Sequence, residues 1–229
     1  MRYGAVSPAV FMHRPNRFVA RCLLDGREVA VHVKNTGRCR ELLVPGARVY
    51  LEHASGSNRK TEFSLIAVEK GTLLINIDSQ APNAAAAEAL ATGLLPELGG
   101  RPSLLRREAA FGDSRLDFYL KTGRGGCFLE VKGVTLEDGG AGYFPDAPTL
   151  RGQRHVKELI RAVEKGYDAA LLFVVQFSPV SFVSPYDVTM PSFREALRAA
   201  KAAGVRLLAY DCAVTPNSMT LRAPVEVRV

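Results

Sequence analysis

Tryptophan is absent from the 229 residues, and only four cysteines occur, at Cys22, Cys39, Cys127 and Cys212. None forms a CxxC pair, so the spacing excludes the common structural zinc sites and suggests no disulfide framework; small buried side chains are expected instead. Histidine is also scarce, and His13, His32 and His53 show no metal-ligand spacing. No apolar run approaches the ~20 residues needed to cross a bilayer. The longest, Ala169 to Val175, has the length of a strand. The opening MRYGAVSPAVFMHRP lacks the apolar core of a secretory signal. A cytoplasmic protein with no membrane partner is the expectation.

What is present is an ordinary globular balance, 47% hydrophobic and 23% charged, with an excess of seven positive charges. Such a charge favours polyanionic partners through long-range attraction. The excess is concentrated near the start: Met1 to Gln80 holds 12 Lys and Arg against 7 Asp and Glu.

The first 80 residues read as short strands. Arg17–Leu24 and Arg27–Lys34 flank Asp25-Gly26, a dipeptide suited to the positive φ angles of a type I′ hairpin turn. Ala47–Ala54, Phe63–Glu69 and Thr72–Ile77 add three more. Five short strands in this length predict a small closed barrel, OB-like, because closure removes exposed edges. Residues 81–101 read as a helical connector, with a helix over 83–91, Asn83 as its N-cap, and a junction rich in Pro and Gly.

From residue 102 to 229 strands and helices mix. Leu104–Ala110, Arg115–Lys121 and Cys127–Lys132 are strand-like, the last two joined by hairpin chemistry. A helix is expected over 150–165, with Val156, Leu159, Ile160 and Val163 on one face. Ala169–Phe177 reads as a buried strand. A second helix runs from Pro191 to Ala203, and Val205–Tyr210 is a further strand. The expected class is α/β of mixed type: an N-terminal OB-like barrel followed by a mixed sheet with flanking helices.

The second half carries the chemistry. Asp117 and Glu130 fall on the two strands of one hairpin, and Lys132 shares a strand face with Glu130 because side chains alternate. Two carboxylates brought together repel and call for a cation; oxygen ligands suit Mg²⁺ or Mn²⁺. Such an ion with a neighbouring ammonium serves phosphodiester hydrolysis. Asp117, Glu130 and Lys132 are therefore the candidate catalytic residues, with Glu108 a weaker fourth acid. A cross-strand ion pair on a solvated face fits the same triplet. The setting, a hairpin just before a long helix in a mixed sheet, resembles the PD-(D/E)xK nuclease core, with Leu116 in place of the Pro.

Several longer stretches carry a more specific resemblance: HVKNTGRCRELLVPG (32–46), INIDSQAPN (75–83), SRLDF (114–118), LEVKGVTLE (129–137) and FPDAPTLRGQRHVKEL (144–159). Together they resemble the sugar fermentation stimulation protein A family of bacteria and archaea. The resemblance implies an OB-like domain followed by a PD-(D/E)xK nuclease-like domain, with Asp117, Glu130 and Lys132 on the nuclease-like site. It implies DNA as the partner and a link to sugar, notably maltose, metabolism. Two readings stay open, a Mg²⁺-dependent nuclease of DNA or RNA and a non-catalytic DNA-binding regulator that keeps a nuclease scaffold. Expected nucleic-acid contacts are Lys34, Arg38 and Arg40 around a barrel turn, Arg59 and Lys60 in another loop, and Arg151 and His155 one helical turn apart beyond the Glu-x-Lys strand. Asp146 and Thr149 are expected to cap or orient that helix. An isologous homodimer stays open as the assembly.

Overall fold

Among the described residues the strands and helices follow the order that the hydrophobic patterns suggest, with further strands that those patterns miss. The computed structural model describes residues 1–35, 37–54 and 61–229. Arg59 and Lys60, expected as nucleic-acid contacts, lie outside the described residues.

The first strand, β1 (Val6–Asn16), is not expected from the sequence, because Pro8 and Pro15 interrupt its pattern. It pairs with β2 (Val19–Leu24) through its second half and with β4 (Arg48–His53) through its first. Each proline costs one ladder hydrogen bond, tolerable where partners change. β2 turns into β3 (Arg27–Val33) at Asp25-Gly26, whose φ angles of 48° and 78° are those of the expected type I′ turn. β3 also pairs in parallel with β5 (Phe63–Lys70), which pairs with β4, so five strands close on themselves; β6 (Leu73–Asn76) continues from β5. The expected OB-like barrel is present, its interior filled by Phe11, Val31, Val49, Leu51 and Leu65.

The helix α1 (Ala81–Thr92) begins two residues earlier than expected, with Pro82 in its first turn. Asn83 is therefore inside the helix and not its N-cap. α1 lays Ala81, Ala85, Ala86, Ala89 and Leu90 on one face of the following sheet. Small side chains allow this close approach, and Gly93, with a left-handed φ of 77°, ends the helix.

The strands β7 (Leu104–Phe111), β8 (Ser114–Thr122) and β9 (Gly125–Val134) form an antiparallel meander. After the short β10 (Leu136–Asp138) and β11 (Ala141–Phe144) comes α2 (Leu150–Glu164). Thr149 caps it, its hydroxyl accepting from the Gly152 amide at 2.9 Å. Asp146, expected beside it in that role, lies instead against Gly37 of the barrel. β12 (Asp168–Val175) is buried along nearly its whole length and pairs in parallel with β9. β13 (Phe182–Pro185), α3 (Pro191–Ala202), β14 (Arg206–Thr215), β15 (Ser218–Pro224) and β16 (Glu226–Val227) complete the chain.

The large sheet has the order β15-β14-β12-β9-β8-β7, and a four-stranded sheet of β10, β11, β13 and β16 stands beside it. The core over α2 and α3 runs into the barrel, while α1 covers the opposite face. All four cysteines are free and buried, as expected, and burial pushes the thiols of Cys22, Cys39 and Cys127 up to about 12. Among the described residues no helix is long and apolar enough to cross a membrane.

Candidate functional site

β8 and β9 are hydrogen-bonded from Thr122–Gly125 as far as Phe118–Leu129, and there the ladder stops. At the next position the Asp117 carboxylate replaces it. Oδ2 accepts the Val131 amide at 2.8 Å, and Oδ1 accepts from the Asn83 side chain of α1 at 2.7 Å. A backbone donor that would otherwise be orphaned is satisfied, and the carboxylate is held where the strands part. Asn83 is thus a positioning residue that local sequence reasoning misses: only the docking of α1 brings it there.

Glu130 sits opposite, 2% exposed. Its Oε1 accepts from Lys132 Nζ and from His155 Nδ1, while Oε2 is buried without a hydrogen-bond partner among the described residues. The chain of contacts continues outward, as Arg151 Nε donates to His155 Nε2 at 3.3 Å. His155 thus bridges the two, with Nδ1 against the acid and Nε2 against the arginine. The expected contact of His155 with nucleic acid is corrected: the ring is 5% exposed and faces the acid, not solvent. Arg151 keeps an exposed guanidinium at the rim.

The two acids are shifted in opposite directions. Burial, then the nearby Glu130 charge, raises the Asp117 carboxyl above its ordinary value despite the Val131 and Asn83 bonds. Burial also pushes Glu130 upward, but hydrogen bonds from His155 and Lys132 and the Lys132 charge outweigh it and hold the group below its ordinary value. Two carboxylates close enough to perturb each other, with one oxygen left bare, form a site that a hard cation would relieve. Among the described residues no three His, Cys, Asp or Glu side chains are arranged to hold a metal. The protein's share would therefore be Asp117 and Glu130, with water and substrate oxygens completing the shell, the usual arrangement for Mg²⁺. Glu108 does not join them. It stands across from Asp117, between the pairs Arg107–Phe118 and Ala109–Leu116, but takes a left-handed φ of 52° and its side chain is exposed.

The basic residues separate into two kinds. Lys34 is corrected as a phosphate contact: its ammonium pairs with Glu52 at 2.6 Å and Asp78 at 3.3 Å and is only 16% exposed. Arg38 and Arg40 are exposed and line a cavity of about 590 Å³ with His13, Arg14 and Arg17. Arg14 shapes that cavity from below, donating to the carbonyls of Asn35, Gly37 and Arg38. Phe18, next to Arg17 in the chain, is 47% exposed under the Arg17 guanidinium, whereas Phe63 is buried in the barrel and Tyr50 packs beside Tyr3 outside it.

The barrel turn reaches the second half directly. A Cβ on Gly37 would stand 2.2 Å from Asp146 Oδ2. Two smaller cavities share Asp146 with this region, and one is also lined by Gly133, the residue after Lys132. These cavities share Gly37, Arg38 and Asp146 in their linings, and the last reaches β9 at Gly133. The two halves are fastened by Gln176, whose side chain donates to Asn76 and Asp78 oxygens at distances of 2.9 to 3.1 Å.

Comparison with known proteins places the chain in a family and matches its fold. The family model "SfsA N-terminal OB domain" matches residues 12–77, and "Sugar fermentation stimulation protein RE domain" matches 80–218. The chain is 47% identical over 219 residues to the sugar fermentation stimulation protein homolog of Desulfitobacterium hafniense strain Y51, covering 96% of this chain and 94% of the relative. It is 48% identical over 229 residues to the homolog of Clostridium perfringens strain SM101, covering 99% of each. Among solved structures, Pyrococcus furiosus SfsA in complex with Ca²⁺ superposes with a TM-score of 0.90 at 32% identity, covering 100% of this chain and 98% of that one.

Proposed function

The chain belongs to the sugar fermentation stimulation protein family, and from that premise we propose that it is a divalent-metal-dependent phosphodiesterase acting on nucleic acid. The observation that carries this reading is Glu130: a buried carboxylate with one bare oxygen, beside a second carboxylate, with a lysine fixed between acid and solvent. A surface ion pair has no reason to bury two acids together. The Pyrococcus furiosus relative was solved in complex with Ca²⁺, a divalent cation, which supports the binding of such a cation by this chain.

In this reading Asp117 and Glu130 hold Mg²⁺ or Mn²⁺, which when bound polarises a phosphate and lowers the pKa of water. Asn83 and the Val131 amide fix the orientation of Asp117. His155 fixes the orientation of Glu130 through the hydrogen bond to its Oε1. Lys132 places an ammonium where negative charge develops on the phosphate. Arg151, at the rim, offers its remaining N–H groups to a neighbouring phosphate. The barrel cavity lined by Arg17, Arg38 and Arg40 offers cations to the backbone of the same polyanion.

The test is a panel of single-stranded, double-stranded and branched DNA with matched RNA, incubated with Mg²⁺ or Mn²⁺. Cleavage is expected that EDTA abolishes and that Asp117→Ala and Lys132→Ala lose. A protein that binds the panel but cuts no member with either metal would be a nucleic-acid-holding regulator, and the hydrolase reading would fail.

A further inference from the structure

A row of side chains crosses three strands beside the acids. Arg106 on β7 pairs with Tyr119 on β8, and Tyr119 pairs with Phe128 on β9. Directly opposed residues share a sheet face, and so do residues two apart on one strand, at a spacing of ~7 Å. Phe128 is two residues before Glu130. The row therefore lies next to the carboxylate site, on the face that Glu130 presents to His155.

This row forms the floor of a groove of about 530 Å³ that also has Arg107, Glu108 and Tyr167 in its lining. Its rings are set at steep angles to one another. Tyr119 and Phe128 centroids are 5.0 Å apart, and Tyr167 stands 5.2 Å from Phe128 at 78°. Tyr167 is 39% exposed. A Cβ on Gly126 would come 2.4 Å from the Tyr119 hydroxyl, so a residue without a side chain is what lets that ring lie over the strand. Arg106 is exposed and has no ion pair among the described residues. Phe128 is buried beneath the groove and Tyr119 is half-buried, so the ring open to a ligand is Tyr167, with Arg106 exposed at the edge.

We propose that this groove is a stacking subsite for the nucleobase adjoining the phosphodiester held at Asp117 and Glu130. The proposal rests on the phosphodiesterase reading for its neighbour but not for its own chemistry. Aromatic rings accept any base on their π-faces and are indifferent to its identity. The arginines match the phosphate that follows each base. The groove therefore favours a nucleotide over a bare sugar phosphate, and favours it without discriminating strongly between bases.

Calorimetric titration of the full chain in EDTA, with deoxyadenosine monophosphate and separately with deoxyribose 5-phosphate, tests this. The nucleotide is expected to bind about tenfold more tightly than the sugar phosphate, in the range of one base–aromatic stack. Tyr167→Phe should retain that preference and Tyr167→Ala should erase it. Arg106→Ala, at an exposed edge-strand position, should weaken the nucleotide without unfolding the protein. Equal affinity of wild type for both ligands overturns the proposal, as does a preference that survives Tyr167→Ala. Cleavage is scored separately: a protein that cuts DNA yet shows no base preference loses only this subsite, and one that prefers the nucleotide yet cuts nothing loses only the reaction.

Discussion

His155 on α2 donates from Nδ1 to the same Glu130 oxygen that Lys132 holds, although 25 residues separate the histidine from the acid. The bond ties α2 to the acid and helps keep Glu130 below its ordinary pKa.

Removing the ring should raise that pKa, because burial is left less opposed. If Glu130 must be ionised for cleavage, the acid limb of the pH–rate profile moves to higher pH in His155→Ala. Metal-dependent activity falls by about 10–100-fold, the usual effect of losing a ligand's hydrogen-bond partner. A uniform loss of rate with an unmoved acid limb would contradict the role assigned to His155.

Asp117 predicts an effect of opposite sign. Its folded-state pKa is raised, so its contribution favours folding at low pH and is lost as pH rises through that value. Above that value the metal-free protein carries the penalty. Asp117→Asn removes it while keeping the shape, and should melt about 2–4 °C above wild type in EDTA. The gap should close in acid, where Asp117 is protonated. Excess Mg²⁺ should raise the melting temperature of wild type only, since a ligand of the folded state stabilises by mass action. Scanning calorimetry at two pH values decides it; a variant that melts well below wild type at neutral pH would refute the repulsion between the two acids.

Among the basic residues the structure predicts a division. Arg38→Ala and Arg40→Ala should each lower the salt dependence of oligonucleotide binding by about one counterion. Lys34→Ala should leave that slope alone but destabilise the fold by about 1–3 kcal/mol, because Glu52 and the buried Asp78 lose their cation. Anisotropy titrations across a salt series, paired with denaturation, separate the two. A reduced slope in Lys34→Ala would place that ammonium back on the nucleic acid.

Gln176 bridges the halves through Asn76 and Asp78, and a Cβ at Gly133 would stand 2.5 Å from its Oε1. Gln176→Ala should cost about 2–4 kcal/mol, the sum expected for several lost buried bonds. Gly133→Ala should also destabilise, by forcing the amide aside. Chemical denaturation measures both; near-wild-type stability in the two variants would mean that the halves are held elsewhere.

Much of this is legible along the chain, and for identifiable reasons. Local rules act over a few residues, so Asp25-Gly26 marks its hairpin, Pro191 its helix start, and the apolar run after Asp168 its central strand. Alternation alone places Glu130 and Lys132 on one face. β1 is hidden because its two prolines and split partnership erase the period that reveals a strand. Asn83 looks like a helix cap because its relation to Asp117 exists only across a packed interface.

Turn chemistry and side-chain periodicity are short-range, so the elements, and the acids and cations they carry, are already written in the order of residues. Which of those charges are free is settled only when the chain folds. Lys34 and Arg38 are four residues apart and alike in charge, yet one closes a buried ion pair and the other lines an open cleft. His155 and Glu130 acquire their meaning from the same cause: a polar group's state depends on what desolvates it and what pairs with it, and both are supplied by residues distant in the chain.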